Sequence, residues 1–294
     1  MKRGVACICL SAFGFSLMAV FVKLADSFGE PVPAVEKAFF RNAIAMIVAL
    51  AVFLRRRGGM RAGAASVDWA SLLARSIFGT LGIVANFYAV SRIPLGDAMA
   101  LNKTAPFFTL AACWVMMGEK IRLRQALAVT GAFAGAMLVV KPGFSGSSGA
   151  GAVVGLLGGA FAGIAYALVH RLGVKGVDGA FIVFFFSMFS TLACLPFFAF
   201  GDCNISPAQF AVLTAAGVAA AVGQFGITWA YRFAEPRQIA IYDYCGIVFA
   251  VLLGLLFFGQ IPDLTSVAGM LIIVAMAVGL HSVKVCSIIK LKEK

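Results

Sequence analysis

Charged side chains are scarce in this sequence, 12% against a hydrophobic share of 62%, and a mean hydropathy of +0.99 excludes a water-soluble globular chain. Polar breaks are short, so no stretch suits a soluble domain. Alternating apolar and polar residues in strands of about 10 are missing, which excludes a membrane β-barrel. Histidine occurs only twice. The cysteines, Cys7, Cys9, Cys113, Cys194, Cys203, Cys245 and Cys286, show no metal-ligand spacing, and nearly all sit in apolar segments as small hydrophobes. No disulfide, metal or cofactor is expected. With no nucleophile triad, metal-ligand cluster or phosphate-binding loop in view, the sequence also argues against an enzyme.

What is present is one apolar run after another, each near the ~20 residues that cross a bilayer. The spans read as 4–24, 34–54, 68–91, 95–117, 122–142, 151–171, 178–199, 206–232, 236–258 and 263–283. Unbroken apolar runs must satisfy their own backbone hydrogen bonds, which only helices do. The expected fold is an all-α integral membrane protein with ten transmembrane helices.

The net charge of +12 would suggest nucleic acid in a soluble chain, but its placement speaks for topology instead, because Lys and Arg gather on cytoplasmic loops. With the N-terminus inside, the outer side holds Lys23, Lys37, Arg92 and Lys141, Arg41 and Lys103 fall within helices, and the rest, including Arg55, Arg56, Arg57, Arg61 and Arg75, fall inside. Both termini are therefore expected in the cytoplasm of a bacterial-type inner membrane. Residues 285–294 form a basic tail that contacts lipid. The opening "MKRGVACICLSAFGF" has the basic start and apolar core of a secretory signal, but its counterpart later in the chain keeps it as the first helix.

That counterpart belongs to an internal repeat. A shift of 141 aligns "ANFYAVSRIPLGDAMALNKTAPFF" with the chain from Gly226, pairing Ala89 with Ala230, Phe108 with Phe249, Gly118 with Gly259 and Leu123 with Leu264. A shift of 148 aligns "SAFGFSLMAVFVKL" with "GAFAGIAYALVHRL", and the longer "RRRGGMRAGAASVD" loop of the first half accounts for the difference. The halves span 1–143 and 150–284. Five helices is an odd number, so the second half enters the membrane from the opposite side, the inverted repeat of secondary transporters with substrate near the midplane. Gly151, Gly155, Gly159 and Gly163 make a ladder down helix six, and "GAFAG" at 131–135 repeats the idea in helix five. Both read as packing faces.

Lys103 is the residue out of place. In "ALNKTAPFF" it lies about 12 Å along helix four from Leu95. Pro106, three residues on, lacks an N–H and deprives the Asn102 carbonyl of its helical partner. The repeat sets Asn102 opposite Asp243 and Lys103 opposite Tyr244, so "LNKTAP" is matched by "IYDYCG" in helix nine. Lys103 and Asp243 then line a wet central cavity, or they form a structural salt bridge or reach an interface separately. Arg41 is a third intramembrane charge. Tyr88, Tyr166, Trp229, Tyr242 and Tyr244 offer rings with polar tips for pocket walls, and Asn86, Gln224 and His170 are further polar candidates. "FFF" at 184–186 reads as lipid-facing or core.

With ten helices in two inverted repeats, "EKAFFR" in helix two, and "GEK" and "GQI" ending helices four and nine, the chain resembles the EamA-type transporters of the drug/metabolite transporter superfamily over its whole length. The resemblance implies a central cavity to which helices four and nine contribute, helices five and ten at the periphery or in homodimer contacts, and substrates drawn from amino acids, vitamins, S-adenosylmethionine, sugars and toxic amphiphiles. Ile247 stands where the repeat would put a proline, so helix nine is expected to lack the kink, and Gln260 replaces the acidic residue matching Glu119.

Two positive groups and one negative group suit a ligand bearing a carboxylate and an amine. The expected partner is a small zwitterionic solute, an amino acid or an amino-acid-containing metabolite such as S-adenosylmethionine. Lys103 and Arg41 would hold its carboxylate, Asp243 its amine or a proton, and Tyr242, Tyr244 and Tyr166 would contact the remainder, with Asn102 beside them in the site. Export of toxic amphiphiles and carriage of a lipid-linked solute stand as alternatives.

Overall fold

The computed structural model describes residues 2–30, 32–55, 67–92, 101–140, 149–200, 205–259 and 261–292. Among them run ten helices of 13 residues or more: α1 (Lys2–Ala25), α2 (Ala34–Leu54), α3 (Trp69–Arg92), α4 (Ala105–Met117), α5 (Leu123–Val140), α6 (Gly149–Val174), α7 (Gly179–Phe200), α8 (Pro207–Phe233), α9 (Cys245–Phe258) and α10 (Leu264–Lys292). The opening segment forms α1. A single turn, Pro236–Ile239, and a 3₁₀ turn, Ala240–Tyr244, precede α9. Residues 95–100 of the expected fourth span, Arg56, Arg57, Arg61, Lys141 and Gln260 lie outside the described residues.

Among the described residues, seven stretches are long and apolar enough to cross a membrane: α1, Val35–Leu54, α5, Ala150–Val174, Gly179–Ala199, α8 and the whole of Pro236–Phe258. Ala105–Met117 and Leu264–Val278 are apolar but shorter. The α3 helix carries Arg75, Ser71, Ser76 and Thr80 among its apolar residues. All four of these are buried. The chain is thus an all-helical, multi-pass membrane protein.

Packing between the halves dominates. The main contacts are α1 with α8, α3 with α6, α2 with α7, α5 with α10, α2 with α8, α4 with α6, and α1 with α9. Replace each helix by the one five places along and each pair finds a counterpart, α2 with α8 only in the weaker packing of α3 on α7. The small residues behind these contacts obey the repeat as well. A side chain at Gly14 would strike the backbone of Gly223, and one at Gly82 would press on the backbone of Ala162, the same contact moved to the other half. The α5 and α10 faces meet where Gly135 and Gly269 bring the two backbones together.

Both α4 and α9 end in a left-handed glycine, Gly118 at φ 67° and Gly259 at φ 63°. Each cap returns its N–H to the last helical turn, and a Cβ at either position would be strained by the backbone rather than by a neighbour. The two caps occupy matching positions of the repeat.

Candidate functional site

The site forms where two helices break. Before α4 the chain turns at Lys103 and Thr104: the Thr104 N–H and hydroxyl both donate to the Leu101 carbonyl, at 3.1 and 2.6 Å, and the Phe107 N–H donates to the Thr104 carbonyl at 3.0 Å. Pro106 therefore falls in the first turn of α4, where a missing N–H costs nothing and the fixed φ favours the start. It begins a helix rather than kinking one. The expectation that helix nine runs without a kink is corrected by the 3₁₀ turn Ala240–Tyr244. Its break needs no proline because tertiary partners hold the backbone groups that a continuous helix would have used.

Those partners come from the other half. Lys103 Nζ donates to the carbonyl of Asp243 and to its Oδ2, both at 3.1 Å, and the Tyr244 hydroxyl donates to the carbonyl of Lys103 at 3.0 Å. Ser16 on α1 donates to the Gly246 carbonyl at 2.8 Å. The broken start of α4 presses onto α6, where side chains at Gly159 and Gly163 would collide with the carbonyls of Leu101 and Ala105. The glycine ladder is the seat for this irregular backbone.

Beside the two breaks opens a cavity of about 210 Å³. Phe15, Arg41, Arg75, Asn86, Asn102, Lys103, Tyr166, Phe186, Gln224 and Asp243 supply its distinctive groups. Every described helix contributes to the lining or flanks it except α5 and α10, which pack against each other. Lys103 and Asp243 keep side-chain exposures of 17% and 16%, partly shielded from water, where an ion pair is stronger than on an open surface.

Of the residues expected at a binding site, Lys103, Asn102, Asp243, Arg41 and Tyr166 meet around this cavity. The other four aromatics are elsewhere. Tyr244 is wholly buried and braces the Lys103 backbone from behind. Tyr242 donates to the Ala277 carbonyl of α10 at 3.3 Å. Trp229 packs on Phe225 and over Gly179. Tyr88 is 41% exposed with the Arg92 guanidinium over its ring. Period and composition place an aromatic on a helix but not on a face of the assembled bundle, which is why these four went astray.

The sequence profile of the EamA-like transporter family matches residues 2–141 and again residues 149–281. The chain belongs to the EamA-like transporter family. Over 287 residues it is 33% identical to the pseudopaline exporter CntI of Pseudomonas aeruginosa, covering 97% of this chain and 98% of that one. It is 28% identical to solute carrier family 35 member G1 of Mus musculus, covering 92% of this chain and 76% of that protein, and 28% identical to a riboflavin transporter of Rhizobium johnstonii, covering 78% and 75%. A crystal structure matches the fold with a TM-score of 0.76 at 16% identity, over 91% of this chain and 95% of that one. These similarities identify a membrane transporter for small molecules.

In this EamA-like transporter the residue missed from sequence is Arg75. By sequence it sorts with the cytoplasmic charges because it stands seven residues from the expected start of its helix. The structure buries it to 2% exposure and sets its guanidinium 3.9 Å from the centre of the Phe186 ring. Gly79, one turn on, makes the room: a Cβ there would overlap the guanidinium and the ring together. An arginine followed four residues later by glycine, in a helix of mostly apolar residues, was the available signal. Phe186, read as lipid-facing or core, is the floor beneath that cation.

Proposed function

We propose that this transporter moves an amino acid or amino-acid-containing metabolite through the central cavity by alternating access, its two five-helix halves being repeats of inverted topology. The observation that carries the reading is the Lys103–Asp243 pair, formed across the two broken helices at 3.1 Å and open to the cavity. A solute with a carboxylate and an amine competes for both partners at once, so binding would exchange one ion pair for two and loosen the contact between halves. The return of each helix contact after a five-place exchange supports the repeat. Rocking of one half against the other would then expose the cavity to each side in turn.

The lining favours this over carriage of lipophilic cations, which Arg41, Arg75 and Lys103 would repel. Kinship with a pseudopaline exporter favours outward movement of the solute. The excess of Lys and Arg on one side favours a cytoplasmic membrane with both termini inside.

The test is transport in proteoliposomes loaded with candidate amino acids, comparing the native protein with Lys103→Ala and Asp243→Asn. Loss of about tenfold or more in rate for both, with native elution from a sizing column, is expected. Unchanged rates would place the path elsewhere.

A further inference from the structure

The cavity holds more positive charge than a simple zwitterion needs. Asp243 is the one carboxylate among the described lining residues, and Lys103 already engages it. Arg41 and Arg75 are left. Arg75 Nε and Nη1 and Arg41 Nε are buried and make no hydrogen bond within the protein. Arginine cannot shed its proton to escape such a place, and an uncompensated buried cation is strongly unfavourable.

Each guanidinium rests on a ring: Arg75 on Phe186 at 3.9 Å and Arg41 on Phe15 at 5.6 Å. A ring face stabilises the cation but accepts nothing from N–H groups in the guanidinium plane. The rings therefore orient two guanidiniums without satisfying Arg75 Nε and Nη1 or Arg41 Nε, and guanidinium N–H groups match carboxylate oxygens. Arg41 comes from α2 and Arg75 from α3, each on its own ring, which suits two separate anionic groups better than a single compact dianion. The side chains of Asn86, Asn102 and Gln224, also in the lining, add neutral polar contacts.

Resting on the reading that this cavity is the transport site, we propose that Arg41 and Arg75 bind carboxylates of a net-anionic solute, so that the substrate class is an amino-acid-derived polycarboxylate. Three cations against one carboxylate leave a surplus of two positive charges for the solute to neutralise. A cationic metabolite such as S-adenosylmethionine, although it contains an amino acid, does not fit this balance.

Thermal unfolding of the intact protein in detergent tests the assignment, since a ligand that binds the native state raises the midpoint. The probes are tricarballylate, L-glutamate, its uncharged isostere L-glutamine, L-lysine and inorganic phosphate at matched ionic strength. A rise with tricarballylate and glutamate but not with glutamine, lysine or phosphate is expected, and Arg75→Gln and Arg41→Gln should each weaken the response about tenfold or more. Equal responses to glutamate and glutamine overturn the proposal in the native protein alone, whether or not the variants fold. A response to phosphate as large as that to tricarballylate, or a polycarboxylate response unchanged in folded arginine variants, also overturns it. Lys103-dependent transport of a neutral or cationic solute would sink the acidic class and leave the transport reading standing. A polycarboxylate response lost in both arginine variants, with no solute moving in proteoliposomes, would uphold the binding site and sink the transport reading.

Discussion

Tyr244 gives its hydroxyl proton to the backbone carbonyl of Lys103 at 3.0 Å, and the two residues are 141 apart, the offset that relates the two halves. A second such bond joins α2 to α7: the Asn42 side-chain amide donates to the Ser190 hydroxyl at 3.0 Å, between residues 148 apart. When a repeat folds about a two-fold axis, equivalent positions meet only on that axis. These bonds mark where it would run, and the cavity lies beside them.

Tyr244→Phe keeps the ring and removes the donor. The Lys103 carbonyl, at a break in buried backbone, then lacks its side-chain partner. A loss of about 1–3 kcal/mol is expected, read as a midpoint several degrees lower in thermal unfolding, with slower transport because the turn that aims Lys103 is less fixed.

Gly163→Val tests the seat of α4. A side chain there would meet the Ala105 carbonyl and the Phe108 side chain, and backbone cannot step aside as a flexible side-chain end can. Destabilisation of about 1–3 kcal/mol or failure to fold is expected. Gly118→Ala meets no neighbour within 4 Å and should cost only the ~1 kcal/mol of a left-handed backbone. Equal costs would mean that α4 does not depend on the ladder.

Gly79→Ala changes no charge yet places a methyl group where the Arg75 guanidinium and Phe186 lie. Arg75 must leave its ring. Solute affinity should fall about tenfold while Phe186→Tyr, which keeps a ring face, stays within about threefold. Isothermal titration with the best polycarboxylate probe measures both.

His170 joins α6 to the ends of α4 and α8. Its Nδ1 is 2.6 Å from the Tyr231 carbonyl, which only accepts, so Nδ1 carries a proton, and Nε2 faces Glu119 Oε1 at 3.0 Å. His170→Ala leaves the Tyr231 carbonyl without this partner, removes the contact to Glu119, and should lower stability by about 1–3 kcal/mol. A midpoint unchanged in the thermal scan would show the contact to be dispensable.

Asp68, ahead of α3, ties that helix to the end of α6. Its carboxylate accepts from Lys175 Nζ, from the Ser71 hydroxyl at 2.8 Å and from the Ser71 N–H at 3.1 Å. These bonds, that from Lys175 foremost, hold its carboxyl well below the usual carboxylate range. Because the folded group is the stronger acid, its contribution is complete above the unfolded value near 3.9 and fades as pH falls below it. The gap in thermal midpoint between native protein and Asp68→Asn should be constant from pH 7 to 5 and shrink below about pH 4. A gap that widens on acidification would contradict the assigned sign.

The sequence by itself determined the solvent and pointed to the repeat. Apolar runs of bilayer length leave a chain no option but helices, and fixed offsets between matching residues express the duplication directly. It also singled out Lys103 and Asp243, because an ion in an apolar run is conspicuous whatever surrounds it. Tertiary structure decided the rest. Which face of α3 turned inward could not be read from one dimension, so Arg75 passed for a cytoplasmic charge until packing against Phe186 and Gly79 buried it. The break before α9 had no proline to announce it, since a helix also yields where a lysine and a serine from distant helices take up its carbonyls. A backbone hydrogen bond within a helix is local and legible in sequence, whereas one satisfied across 140 residues exists only once the halves have met.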